Sequence, residues 1–251
     1  MPGAVIVGFY GKLPSRGDFV RSGLPRDFTD RWDDWLQSVM AGSRSLMGDA
    51  WLPAFLEAPV WRFALPRGLC GERAALGVML PSVDKAGRYF PLTFAALPPD
   101  DDALGVRGNG VMPGDGPAST SWPAPASPDV DAGPSPGMTW RGKRVGPGDS
   151  IAAPCADDAW LDRCEAAGRA GLEQDASPEQ IAGMLTAPEL VGTATDHAEW
   201  WTEGSPRVPP TRLTRSRMPD AATFASMLGA SPIPGEAVRD VPGETPWNPT
   251  P

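Results

Sequence analysis

The spacing of hydrophobic positions changes period several times along this chain, and each change predicts an element. Residues 4–10 (AVIVGFY) form a continuous β-branched and aromatic run, the signature of a buried strand. Past a Gly/Pro-rich turn, Phe28, Trp32, Trp35, Leu36, Val39 and Met40 recur at the spacing of one helix face. Asp27 or Thr29 is placed to cap that helix, and Asp30 complements its positive N-terminal end. Residues 49–56 (DAWLPAFL) predict a short second helix with Pro53 in its first turn, where proline is tolerated. Three strand-like segments follow: VWRFAL (60–65), AALGVML (74–80) and RYFPLTFAAL (88–97). The connectors PRGLCGER and PSVDKAG are too short for a crossover, so these strands are expected to be antiparallel neighbours. Pro91 removes one donor from the third segment and predicts an edge position or a bulge.

From Pro99 to Asp149 the pattern disappears. Nineteen of these 51 residues are Pro or Gly and aliphatic side chains are scarce, so the segment cannot bury enough apolar area to offset its ordering entropy. Residues 99–149 therefore read as a disordered insertion, and 231–251, of the same texture, as a disordered tail. Between them order resumes. Trp160, Leu161, Cys164 and Ala167 share a helix face, and Ser177 with Pro178 and Glu179 starts a helix carrying Ile181, Met184 and Leu185. Residues 199–210 (EWWTEGSPRVPP) predict a short strand and turn, and Asp220 caps a last helix with Phe224, Met227 and Leu228. Both ordered blocks are small, so 1–98 and 150–230 read as one α/β domain split by the insertion.

Charge narrows the function classes. The 251-residue chain carries a net charge of −9, with a pI near 4.7. Nucleic-acid binders neutralise phosphate with a basic face, so no nucleic-acid partner is expected. No window approaches the roughly 20 apolar residues of a bilayer span, and residues 1–19 lack the basic and apolar regions of a secretion signal. Membrane insertion is not expected. Cys70, Cys155 and Cys164 form no C-x-x-C pair and His197 is the sole histidine, a pattern that argues against zinc and fits reduced thiols. The expectation is a cytoplasmic, soluble protein without metal or cofactor.

The densest motif is GFYGKLPSRGDF (8–19). A phosphate loop needs G-x-x-x-x-G-K-[ST], with a hydroxyl after the lysine and a helix to follow. Here Leu13 and Pro14 follow Lys12, so that reading fails. Arg16-Gly17-Asp18 matches an adhesion tripeptide, which has no use in a cytoplasmic chain. His197 stands beside Trp200 and Trp201 without a G-x-S-x-G elbow. The acidic runs at Asp33, Asp100 and Asp157 read as helix surface, loop and helix start rather than as a metal cluster. No catalytic residue is expected.

PSVDKAGRYFP (81–91) is the stronger candidate, because charged loops on a rigid scaffold are where function concentrates. One reading is a hairpin in which Asp84 accepts hydrogen bonds from Arg88 and backbone amides. The other brings this loop against the first, so that Lys12, Arg16, Asp18, Ser82, Asp84 and Arg88 form a mixed-charge patch for protein recognition. Trp32, Trp35, Trp61 and Trp160 lie on apolar stripes and read as core. Trp201 is expected as an interface or cap residue and joins the candidate patch, since indole is favoured where a partner buries it.

Taken together, GFYGKLPSRGDFVRSGLP, DRWDDWLQ, APVWRFAL, GVMLPSVDKAGRYFPLT, EWWTEGSPRV and MPDAATFASML resemble the TagF family of type VI secretion, in order and across residues 4–98 and 155–229. The resemblance implies a three-layer α/β sandwich, helices flanking a mainly antiparallel or mixed central sheet. It also implies a non-enzymatic regulator that represses secretion post-translationally by binding a forkhead-associated scaffold protein. The long insertion after Leu97 and the basic RLTRSRMP (212–219) depart from the family pattern. Two other classes stay open: a hydrolase or phosphatase acting on a phosphoprotein, which needs a polar cleft with a perturbed acid–base pair, and a permanent subunit of the secretion apparatus.

Overall fold

In chain order the elements are β1 (Ile6–Gly11), β2 (Val20–Ser22), α1 (Arg26–Met47), a 3-10 turn (Gly48–Ala50) leading into α2 (Trp51–Leu56), β3 (Trp61–Leu65), β4 (Ala75–Leu80) and β5 (Leu92–Leu97). After them come β6 (Gly142–Arg144), α3 (Asp158–Glu173), α4 (Pro178–Met184), β7 (Ala198–Thr202), β8 (Thr211–Arg215) and α5 (Ala221–Met227). The computed structural model describes residues 4–99, 142–144, 158–188 and 197–230. Apart from Pro99 and β6, the expected insertion and tail lie outside the described residues.

The strands form one sheet in the order β2-β1-β5-β4-β3-β7-β8-β6. Every pairing is antiparallel, so the sheet is not mixed. The connectors of β3, β4 and β5 do enforce neighbouring antiparallel strands, as the sequence predicts. Strand β7 then pairs with β3, joining the second ordered block to the first.

Helices cover both faces. Phe28, Trp32, Leu36 and Val39 of α1 pack with α2, α5 and the odd-numbered positions Phe63, Met79 and Ala95 of the central strands. Trp160, Leu161, Cys164 and Ala167 of α3 pack with Ile181 of α4 and with the even-numbered Val78, Leu80 and Phe94. Alternate side chains thus enter opposite cores, which is why β3, β4 and β5 are buried at every position. This is the three-layer α/β sandwich.

Local signals hold where their chemistry is local. Ser177 and Gln180 form a reciprocal capping box at α4, and Asp220 caps α5 by accepting from the Thr223 amide at 2.8 Å. The start of α1 differs from expectation. Pro25 occupies its cap position without a side-chain bond, and Asp27 instead accepts the Glu72 amide from the β3–β4 connector at 3.1 Å. Pro91 is also re-placed: it stands just before β5, which lies between β1 and β4 rather than at an edge.

Candidate functional site

Two loops meet at one end of the sheet: residues 12–19, between β1 and β2, and residues 81–91, between β4 and β5. Their bases touch at Gly11. Its φ is 145°, and a Cβ there would lie 2.2 Å from the Pro91 carbonyl oxygen, so only glycine permits the approach. The second loop closes on itself through the Asp84 amide donating to the Arg88 carbonyl at 3.0 Å and the Gly87 amide to the Asp84 carbonyl at 2.9 Å. An isolated bridge pairs Val83 with Tyr89.

Asp84 ties the loops together. Its Oδ1 accepts the Ala86 and Arg88 amides, each at 2.9 Å. Its Oδ2 accepts Lys12 Nζ and Arg88 Nε, each at 2.7 Å. Around this centre the Ser82 hydroxyl donates to the Lys12 carbonyl at 2.6 Å and the Lys85 amide to the Arg16 carbonyl at 2.9 Å. The Arg88 guanidinium reaches across to the Gly17 carbonyl.

Burial pushes the Asp84 carboxyl upward, but the bonds from Lys12, Arg88 and the Ala86 amide outweigh it and hold the group well below the usual carboxylate range. Four donors saturate both oxygens. An anion so committed does not act as a general base near neutral pH; its chemistry is to fix the positions of the groups around it.

The candidate residues therefore divide. Lys12, Ser82 and Asp84 are buried and belong to the clamp rather than to an exposed patch. Arg16 and Asp18 are exposed beside it, Arg16 facing Glu179 of α4 at 3.7 Å. Arg88 belongs to the clamp through its Nε while its side chain stays largely exposed. Trp201 is a correction: it is 1% exposed, lies in the core between the sheet and α3, and takes no part in the patch. Both sheet faces are covered, so adjacent Trp200 and Trp201 each enter a core instead of one reaching a partner. Phe19, which the motif reading passed over, is 45% exposed at the same place. Only its position between the charged loop and a short strand hinted at it.

Other polar and thiol groups join or fill elements away from these loops. Asp33 accepts the Tyr10 hydroxyl at 2.7 Å, linking α1 to β1. Cys70 and Cys164 are buried, and burial pushes the Cys70 thiol up to about 12. Among the described residues no three His, Cys, Asp or Glu side chains are grouped to hold a metal ion, and no helix is long and apolar enough to cross a membrane. A dimple lined by Phe55, Pro59, Trp61, Pro81, Pro91 and Met227 has a cavity volume of about 10 Å³, room for one water.

Residues 8–108 match the TagF N-terminal domain family, described as type VI secretion system-associated; this span contains both loops. The crystal structure of PA0076 from Pseudomonas aeruginosa PAO1 is similar at 30% sequence identity and a TM-score of 0.66, covering 95% of this chain and 100% of that one. No curated protein matches at a significant level.

Proposed function

The chain belongs to the TagF family of type VI secretion system-associated proteins, and from that premise we propose that it is a non-enzymatic, cytoplasmic repressor of such a system. It acts after translation by binding a forkhead-associated scaffold protein of the secretion machinery. The supporting observation is the Asp84 clamp, which spends the most reactive-looking side chains of both loops on rigidity. It leaves Arg16, Asp18 and Arg88 facing solvent on a fixed frame. Rigid, exposed polar groups suit recognition, because little ordering entropy remains to be lost on binding.

The test is genetic and direct. Deleting the gene is expected to raise effector export, and overproducing the protein to silence it, with secreted effector measured by immunoblot against a constant cellular pool. Unchanged export in both strains would remove the repressor reading. Co-precipitation of the purified chain with the forkhead-associated protein checks the partner separately.

A further inference from the structure

Phe19 is exposed and yet braced by three neighbouring side chains. Its ring stacks on Tyr10 with centroids 5.4 Å apart and planes 6° apart, and meets Phe90 edge-on at 4.8 Å. The ammonium of Lys12, itself held by Asp84, sits 4.8 Å from the ring centroid. The supporting rings are fixed in turn: Tyr10 donates its hydroxyl to Asp33, and Phe90 is buried. An aromatic side chain in contact with three neighbours while 45% exposed has less rotamer freedom left to lose on binding.

The charge around this ring opposes that of the chain. Residues 12–22 and 81–91 contain Lys12, Arg16, Arg21, Lys85 and Arg88 against Asp18 and Asp84, five cations to two anions and a net +3, in a chain of net −9. Asp84 is consumed internally by Lys12 and Arg88. Arg21 and Lys85 are exposed and make no ion pair among the described residues. Carboxylates near this surface among the described residues include Glu179, facing Arg16, and Asp30 and Asp33, near Tyr10. A second exposed apolar group, Leu46, Leu52 and Leu56 at the α1–α2 corner, has no feature that selects an occupant. At Phe19 the cationic rim makes that selection.

We propose that Phe19 is the anchor of a docking surface for an acidic protein segment, its exposed ring entering an apolar pocket while Arg16, Arg21, Lys85 and Arg88 meet carboxylates around it. This rests on the binding role proposed above and assigns that role its contact residue and its partner's chemistry. Aromatic anchors surrounded by polar rims dominate the energetics of protein interfaces, and complementary charge adds specificity and association rate.

The experiment measures affinity of the full chain for the purified forkhead-associated protein of the same secretion system, across a salt series. Phe19→Ala is expected to weaken Kd about tenfold or more, through dissociation. The double variant Arg21→Glu/Lys85→Glu, which leaves the ring and the clamp intact, is expected to weaken it about tenfold, through association, and to flatten the salt dependence. Circular dichroism and Tm check folding. If Phe19→Ala does not fold, Phe19→Leu and the charge variant carry the test. Wild-type Kd in every folded variant would overturn the docking surface while leaving the scaffold-binding reading intact. No binding by the wild-type chain would overturn both. Variant-sensitive binding to phosphatidylglycerol vesicles, with scaffold binding unchanged, would overturn it in favour of a lipid surface.

Discussion

Replacing Ser82 with alanine separates a structural strap from a contact surface. Ser82 is 5% exposed, and its hydroxyl reaches the Lys12 carbonyl at 2.6 Å from 70 residues away in sequence. Alanine removes that hydrogen bond and leaves a carbonyl without this donor beside a buried ion pair. A net hydrogen bond contributes about 0.5–1.5 kcal/mol, and a buried group left unsatisfied costs about 1–3 kcal/mol, so about 2 kcal/mol is expected. At roughly 2–4 °C per kcal/mol for a protein of this size, Tm falls by about 4–8 °C. Urea and thermal unfolding, followed by fluorescence of the ten tryptophans, give the stability change; affinity for the proposed forkhead-associated partner is measured at a temperature where the variant is folded. The strap reading requires a clear stability loss with affinity nearly kept. An unchanged unfolding midpoint together with lost binding would refute it and return Ser82 to the contact surface.

Two further outcomes follow from the same geometry. The Asp84 carboxyl is held below its ordinary value of 3.8 in the folded state, so protonation favours the unfolded chain; its contribution is present above about pH 4 and lost as the pH falls below that. Asp220 and Glu179 act in the same direction. Urea midpoints from pH 6 to pH 3 should therefore fall less steeply, though still fall, in Asp84→Asn, and an identical slope would remove Asp84 from the cause. In the middle of β4, a Cβ on Gly77 would lie 2.1 Å from the Phe94 carbonyl oxygen and 2.5 Å from the Phe63 ring, whereas one on Gly17 would meet nothing within 4 Å. Gly77→Ala is expected to cost roughly 3 kcal/mol or more. Gly17→Ala should leave stability unchanged or raise it by up to about 1 kcal/mol. Urea unfolding of both variants checks the contrast, and a wild-type midpoint in Gly77→Ala would contradict the packing described.

What the chain discloses in advance is what its neighbours in sequence control. The strands β3, β4 and β5 announce themselves because both faces are buried and their connectors are short. The caps of α4 and α5 are legible because donor and acceptor lie three residues apart. Strands β2 and β8 escape because VRS and TRLTR have no apolar run, and only pairing with β1 and β7 makes them strands. Asp27 reads from its neighbours, like Thr29, as a candidate cap because its tertiary donor, the Glu72 amide, lies 45 residues away. Trp201 shows a missed signal that was available: two consecutive tryptophans in a strand between two helical layers must enter both cores. At the candidate site, loop composition singles out Lys12, Arg16, Asp84 and Arg88 but leaves open a hairpin closed on itself or a patch shared by two loops; Asp84 bonds both within its own loop and across to Lys12. Neither that meeting nor which of them are buried is legible locally, because the Lys12–Asp84 ion pair spans 72 residues.

That burial pattern also changes what the net charge means. The chain total of −9, less the +3 of residues 12–22 and 81–91, leaves −12 for the rest of the sequence. An acidic partner approaching from a distance is opposed by the bulk of the molecule, yet at contact it responds to charges within about 8 Å, the screening length at physiological ionic strength. Asp84 sharpens this contrast. Lys12 and Arg88 share one buried carboxylate, so the clamp retains a positive charge and delivers it through the exposed Arg88 guanidinium. Repulsion elsewhere and attraction at these loops restrict the orientations in which an acidic surface can dock. The whole-chain pI of about 4.7 therefore describes approach from a distance, while the local excess of cations beside Phe19 describes the charge that the proposed docking surface presents at contact.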